Sequence, residues 1–209
     1  MALTSSPGHY QTSFAALGDP HFTGFDGSFF EYQGECNKYY NIISSKNFQL
    51  NSLFTNWPTT PGATAMREVG VKVKTDSGFT EIRFDESGKS YVNGENLSEF
   101  KSGDFYFGIK QKESNEVYIN YLENKAEGIG LFINGFIICF KGLEIFISYE
   151  TDNVNAPYYN IVGKHNNEME LHGVVGQTAN PNLNRNENFQ DFEVSSLFGS
   201  NFKYNLLEN

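Results

Sequence analysis

The sequence predicts an all-β chain: an antiparallel two-sheet β-sandwich with little helix. Three observations predict it. Apolar residues recur at every second position in run after run, turn residues separate those runs at short intervals, and aromatic residues are abundant, with 20 Phe, 12 Tyr and 1 Trp among 209 residues. Alternation marks a strand with one buried face. Short turns between strands mark antiparallel neighbours, and aromatic side chains fit a pleated, half-buried surface.

The runs follow in chain order. "FQLNSLF" (48–54) places Phe48, Leu50 and Phe54 on one side, and "EVGVKVK" (68–74) sets Val69, Val71 and Val73 against Glu68, Lys72 and Lys74. "FTEIRFD" (79–85) alternates Ile82 and Phe84 with Glu81 and Arg83, and "DFYFGIK" (104–110) aligns Phe105, Phe107 and Ile109. "EVYINYL" (116–122) aligns Val117, Ile119 and Tyr121, and "GLEIFISYE" (142–150) aligns Leu143, Ile145, Ile147 and Tyr149. The expected buried set is Val69, Val71, Val73, Ile82, Phe84, Phe107, Ile145 and Ile147, with outward carboxylates solvated. Asn93-Gly94 and Asn134-Gly135 are expected as two-residue hairpin turns, because Asn-Gly supplies the positive φ angles such turns need. Asp76-Ser77-Gly78, Ser87-Gly88 and Ser102-Gly103 mark further breaks. No amphipathic helix exceeds about three turns, and "NLSEF" (96–100) is read as one helical turn at most. Residues 1–17 are polar and irregular. They read as an N-terminal arm or edge strand, with Tyr10 and Phe14 as anchors on a neighbouring subunit. Residues 18–209 read as a single domain, and 55–65 and 178–191 as surface loops too short to be linkers.

Charge excludes some functions. The net charge is −10, so nucleic acid and anionic membranes are poor partners, since each needs a basic patch. No run of about 18 apolar residues exists to span a bilayer. The opening "MALTSSPGHYQTSF" has neither a charged n-region nor a long apolar h-region and does not read as a signal peptide, although a mature secreted chain begun with Met looks the same. Cys36 and Cys139 have no zinc-type spacing, and the residues leave open one bridge or two free thiols. No His-x-x-x-His pair, Gly-x-Ser-x-Gly elbow or phosphate loop is present. Trp57, Tyr158 and Tyr159 lie near Pro-containing loops, where they stack on sugar rings or anchor the loops. Asn96-Leu97-Ser98 is an N-glycosylation sequon, usable on a secreted chain.

"GDPHFTGFDGSFFEYQGECNKYYNI" (18–42) resembles the opening of the von Willebrand factor type D domain. It supplies Gly18, Asp19, Pro20, His21, Phe25, Asp26, Gly27, Phe30, Gly34, Cys36 and Tyr39 in the family's order. "LHGVVGQT" (171–178) stands in the place of the family's Cys-Gly-Leu-Cys-Gly-Asn box, and "VSSLFGSNF" (194–202) follows it. The wording of both is closest to a cysteine-poor branch that includes plant root-cap and late-embryogenesis-like proteins. His172 and Val175 occupy the positions of the box cysteines, and Gln177 that of the box Asn.

The resemblance covers roughly residues 17 to 203 and implies a two-sheet β-sandwich. It implies a non-enzymatic extracellular or surface-associated module used in self-assembly, matrix or adhesion, with its own copies, other extracellular proteins or glycans as partners. It implies that Gly173 and Gly176 of the box crowd the opening motif near residues 18–27. In calcium-binding members the Asp of Phe-Asp-Gly is a ligand. Asp26 matches it, with Asn180 and Asn182 as neutral oxygens, but the loop lacks the usual acidic ligand pattern, so a bound cofactor is not expected. In several relatives the Asp-Pro bond of Gly-Asp-Pro-His breaks by itself. The alternative reading is thus self-processing at Asp19-Pro20, assisted by His21. A carbohydrate-binding module using Trp57, Tyr158 and Tyr159 is the other.

Overall fold

The computed structural model describes residues 12–18, 20–58, 60–75, 78–96, 117–123, 134–151, 157–166, 169–180 and 188–207. The chain is an antiparallel two-sheet β-sandwich, as expected, and contains no α-helix among the described residues. The strands are β1 (Thr12–Leu17), β2 (His21–Thr23), β3 (Phe29–Glu31), β4 (Lys38–Ser45), β5 (Phe48–Asn56), β6 (Thr64–Thr75) and β7 (Gly78–Phe84). They continue as β8 (Ser90–Val92), β9 (Glu95–Asn96), β10 (Val117–Glu123), β11 (Asn134–Phe140), β12 (Leu143–Thr151), β13 (Pro157–His165) and β14 (Glu193–Val194). Two single turns of 3₁₀ helix, Gly176–Ala179 and Phe189–Phe192, lie between β13 and β14.

The first sheet runs β10-β11-β12-β13-β1-β2-β3 and the second β14-β4-β5-β6-β7-β8-β9. Between them lies one core. Val69, Val71, Val73, Ile82, Phe84, Ile145 and Ile147 are all buried in it, as alternation predicts, and Phe107 lies outside the described residues. Phe105, Ile109, Ser102-Gly103 and the end of "NLSEF" lie outside them as well, while Asn96 ends β9. Two bulges adjust the second sheet. The β4/β5 register skips Ile42, so Ile42 and Ile43 are both buried, and the β5/β6 register skips Arg67.

Three expectations are corrected. Residues 12–17 are neither an arm nor an edge strand: β1 pairs with β13 on one side and β2 on the other. Phe14 is therefore a core residue, its ring centroid 4.9 Å from that of Phe25, whereas Tyr10 lies outside the described residues. Asn134-Gly135 is not a hairpin turn. Both residues belong to β11, where Asn134 pairs with Glu123 and Gly135 with Leu122 and Ser148. The hairpin falls instead at Lys141-Gly142, both at positive φ (43° and 78°), between the Phe140–Leu143 pair. Glu68, finally, points outward but is buried, its carboxylate 2.6 Å from the Arg83 guanidinium. Asn93-Gly94 does form the expected hairpin turn, at φ 49° and 85°.

Candidate functional site

The opening motif builds the β1–β2–β3 meander. The Gly18 N–H donates to Asn160 Oδ1 (2.8 Å), and Asn160 in turn donates to Glu150 Oε1 (2.7 Å), tying the first turn to β13 and β12. Asp19 lies outside the described residues. Pro20 is buried, and its carbonyl accepts the Tyr32 N–H at 3.4 Å. Tyr32 is buried among Phe22, Tyr40, Phe54 and Phe192, and burial pushes its phenol far above the usual range, helped by Tyr40 and Glu193. Gly34 faces the Tyr40 and Phe54 rings so closely that any side chain there would collide with them.

Residues 24–28 form the turn between β2 and β3. Gly24 and Ser28 close it through the Gly24 N–H and the Ser28 carbonyl (2.7 Å), with Gly27 at positive φ. The Asp26 carboxylate accepts from the Ser28 N–H (2.9 Å) and hydroxyl (2.6 Å), an Asx-type turn.

The box residues close an open edge. At the bulge, the carbonyls of Asn41 and Ile42 accept the N–H groups of Val174 and Val175, both at 3.0 Å. His172 exchanges backbone hydrogen bonds with Ser44 at 2.7 and 2.8 Å. Gly173 is forced by this approach: it sits at φ +103°, and a Cβ would lie 2.4 Å from Asn41 Oδ1 and 2.7 Å from the Ile42 carbonyl. Box and opening motif meet through Thr178. Its hydroxyl accepts the Phe25 N–H (2.8 Å) and donates to the Val175 carbonyl (2.6 Å). The expected crowding therefore moves. Gly173 crowds β4 rather than the opening motif, Gly176 has ordinary contacts from 3.4 Å outward, and Gly24 is the glycine pressed against Thr178. Gln177 is buried, and its side-chain amide donates to the Val174 carbonyl (3.1 Å).

His172 is half-buried. Its ring stacks on Tyr204 (4.4 Å, 8°), and its Nδ1 accepts the Gly173 N–H at 2.9 Å. Burial lowers its pKa below the usual histidine range, with Glu170 pulling the other way.

The outer side of the meander is exposed. His21 stacks on Phe29 (5.8 Å) and lies 3.5 Å from Glu31, while Phe29 is 67% exposed and Leu17 39%. Leu17, His21 and Glu31 form one cross-strand row.

The other candidates fall elsewhere. Cys36, in the turn before β4, and Cys139, on β11, are free thiols, and burial pushes the Cys139 thiol up, reinforced by Glu144. Asp26, the calcium candidate, has its Oδ1 engaged by the N–H and hydroxyl of Ser28. Asn180 follows the first 3₁₀ turn, and Asn182 lies outside the described residues. Tyr159 is not a surface ring. It points inward from β13, and its hydroxyl donates to the Asp85 carbonyl at 2.6 Å. Strand alternation leaves Tyr158 on the outer side, half-buried, with its ring 5.0 Å from Trp57.

Sequence reasoning missed Thr178, Gly24, Asn41 and the Ile42 bulge, because their roles are set by partners far away in the chain. The adjacency of Gly24 to an aromatic turn and the box threonine were the available signals.

No curated protein matches the chain. The family model of the von Willebrand factor type D domain matches residues 15–131, from the second half of β1 through β10 and beyond. The opening motif and strands β2 to β10 lie within that match, which covers more than half of the chain, and the chain belongs to the von Willebrand factor type D domain family.

Proposed function

We propose that this chain is a non-enzymatic extracellular module that associates with its own copies through the outer side of the β2–β3 meander. Domains of this family are extracellular modules of adhesion and polymerisation, generally non-enzymatic, that mediate protein–protein contacts. No helix among the described residues is long and apolar enough to cross a membrane. The observation that carries the reading is the division of the opening motif between two sides. Its inward side, with Phe22, Phe25 and Tyr32, is spent on packing. Its outward side presents Phe29 and Glu31 on β3 and His21 on β2, next to Leu17 of β1, and β3 ends its sheet among the described residues. An exposed edge strand with an aromatic anchor is a surface that accepts another chain.

Light scattering across a concentration series tests this. The mass is expected to rise with concentration for the wild type and to rise distinctly less for Phe29→Asp. A wild type that keeps the mass of one chain at every concentration overturns self-association. Under the same reading the Asp19-Pro20 bond stays intact. Incubation at mildly acidic to neutral pH should return only full-length mass, and a product lacking the first 19 residues would establish self-processing instead.

A further inference from the structure

Over β4–β6, the outward side of the second sheet is covered by the chain's own residues 195–207. Beneath them lie side chains that are polar, outward-pointing and yet buried, Gln49 and Asn51, each exposed by 1%, with buried Asn41 beside them under Gly173 of the box. Asn51 donates to the carbonyls of Leu197 (2.9 Å) and Gly199 (3.0 Å), and Gln49 donates to the Gly199 carbonyl (2.5 Å). Asn51 Oδ1 is held in turn by Asn41 (2.8 Å) and Gln49 (3.2 Å). The floor beside them is Gly70, where a Cβ would come within 2.5 Å of Leu197 Cγ and 2.9 Å of its carbonyl. Farther along, Tyr204 lies on His172, and the Leu206 N–H donates to Ser44 Oγ at 3.1 Å.

This is how a peptide is held, rather than how a strand is paired. The sheet uses side-chain amides to read main-chain carbonyls. A glycine floor admits one leucine, and an imidazole takes one aromatic ring. Among the described residues, the backbone-to-backbone hydrogen bonds of 195–207 stay within the segment, from Gly199 to Ser196 and from Asn205 to Phe202. Its ladder connection to the sheet is β14, which pairs just Glu193 and Val194 with Tyr40 and Tyr39.

We infer that the outer face of β4–β6 is a peptide-binding site, and that its partner is the 195–207 segment of a second copy of this chain, exchanged for the segment seated there now. The segment already carries every group the seat reads, so an exchanged segment keeps each contact, and exchange of an identical element is a low-cost route to association. The inference rests on the self-association reading but uses a different surface from the β2–β3 meander.

The test uses full-length protein and a labelled synthetic peptide of residues 193–207. Peptide anisotropy is followed against wild type and against Leu197→Asp, whose own segment is spoiled while its seat is intact. Saturable binding is expected to both, at least tenfold tighter to Leu197→Asp because its seat is less contested, and is expected to be lost with Gly70→Leu. With Phe29→Asp added to every chain to silence the meander, a tagged Gly70→Leu chain mixed with an untagged Leu197→Asp chain should co-purify, each supplying what the other lacks, while neither variant captures untagged chains of its own kind. If wild type shows no saturable uptake of the peptide, the exchange is overturned whether or not the variants fold. Wild type that self-associates without taking up peptide overturns exchange alone. Peptide uptake by a chain that never self-associates overturns the seat's use between copies and the self-association reading, and leaves a site for other peptides.

Discussion

The two sheets turn opposite kinds of surface outward. On the second sheet, the outward positions of β4, β5 and β6 carry Asn41, Asn51, Gln49 and Gly70, all buried, Asn41 beneath Gly173 and the others beneath residues 195–207. On the first, one cross-strand row runs Ile137–Phe146–Val162–Ala15–Thr23–Phe29 over six strands. Its members are half-buried, and Phe29 is exposed. The neighbouring row, Phe136–Ile147–Ile161–Ala16–Phe22–Phe30, faces the core. So amides lie buried on one outer face while apolar side chains meet solvent on the other. Side-chain polarity decides which groups need partners, whereas the path of the chain decides which face is covered.

The largest expected effect falls on the covered face. Asn51→Leu removes donors from the carbonyls of buried Leu197 and half-buried Gly199 and the acceptor for buried Asn41 and Gln49. Stranding such groups should cost about 3 kcal/mol, read as a lower urea midpoint. An unchanged midpoint would show that the amides do not hold the segment. Next is the sealed edge of β4. Gly173→Ala must fit a Cβ against Asn41 and Ile42 at φ +103° and should cost about 2 kcal/mol. Gly176→Ala, with ordinary contacts, should cost at most about 1 kcal/mol, the helix-type glycine penalty reversed or absent.

A smaller effect is pH dependence at His172. Its folded pKa is lowered by burial, so the unfolded chain takes up the proton first. The stability linked to this group is present above the unfolded value, about 6.5. It falls as pH drops through that value and levels off below the folded pKa. Urea midpoints measured over this window should slope for the wild type and flatten for His172→Phe, which keeps the stack on Tyr204. Equal slopes would move the titration elsewhere. The smallest effect belongs to the uncovered face. Phe29→Ser should leave the urea midpoint within about 0.5 kcal/mol of wild type, since the ring is already in water. A larger loss would show that Phe29 supports the meander as well as facing solvent.

Much of the fold was legible. Val69 to Val73, Ile82 to Phe84 and Leu143 to Ile147 alternate against one core, and a strand with one buried face must alternate. The opening motif and box were legible as patterns, although the geometry redistributed their roles from Gly176 to Gly173 and Gly24. What the residues did not reveal depends on remote partners. Residues 12–17 look like a frayed start, and it is β13 that makes them an interior strand. Asn134-Gly135 has hairpin chemistry, but β11 pairs through it and turns at Lys141-Gly142 instead. Tyr158 and Tyr159 are indistinguishable as letters, and alternation sends one outward and the other to Asp85. Gln49 and Asn51 look solvated until a segment some 150 residues downstream is laid over them.

The place of β1 has a consequence in time. Thr12 pairs with His165 and Phe14 with Gly163, so one of the first strands made waits for one of the last before its sheet can close. At roughly 10 residues per second, a typical rate of synthesis, that delay is on the order of 15 s. Throughout it Phe14, Phe22 and Phe25 are already made, while the strand that completes their shelter is not. The chain therefore emerges with an aromatic-rich stretch that cannot be settled locally, and its yield in a cell should depend on what shields that stretch during synthesis.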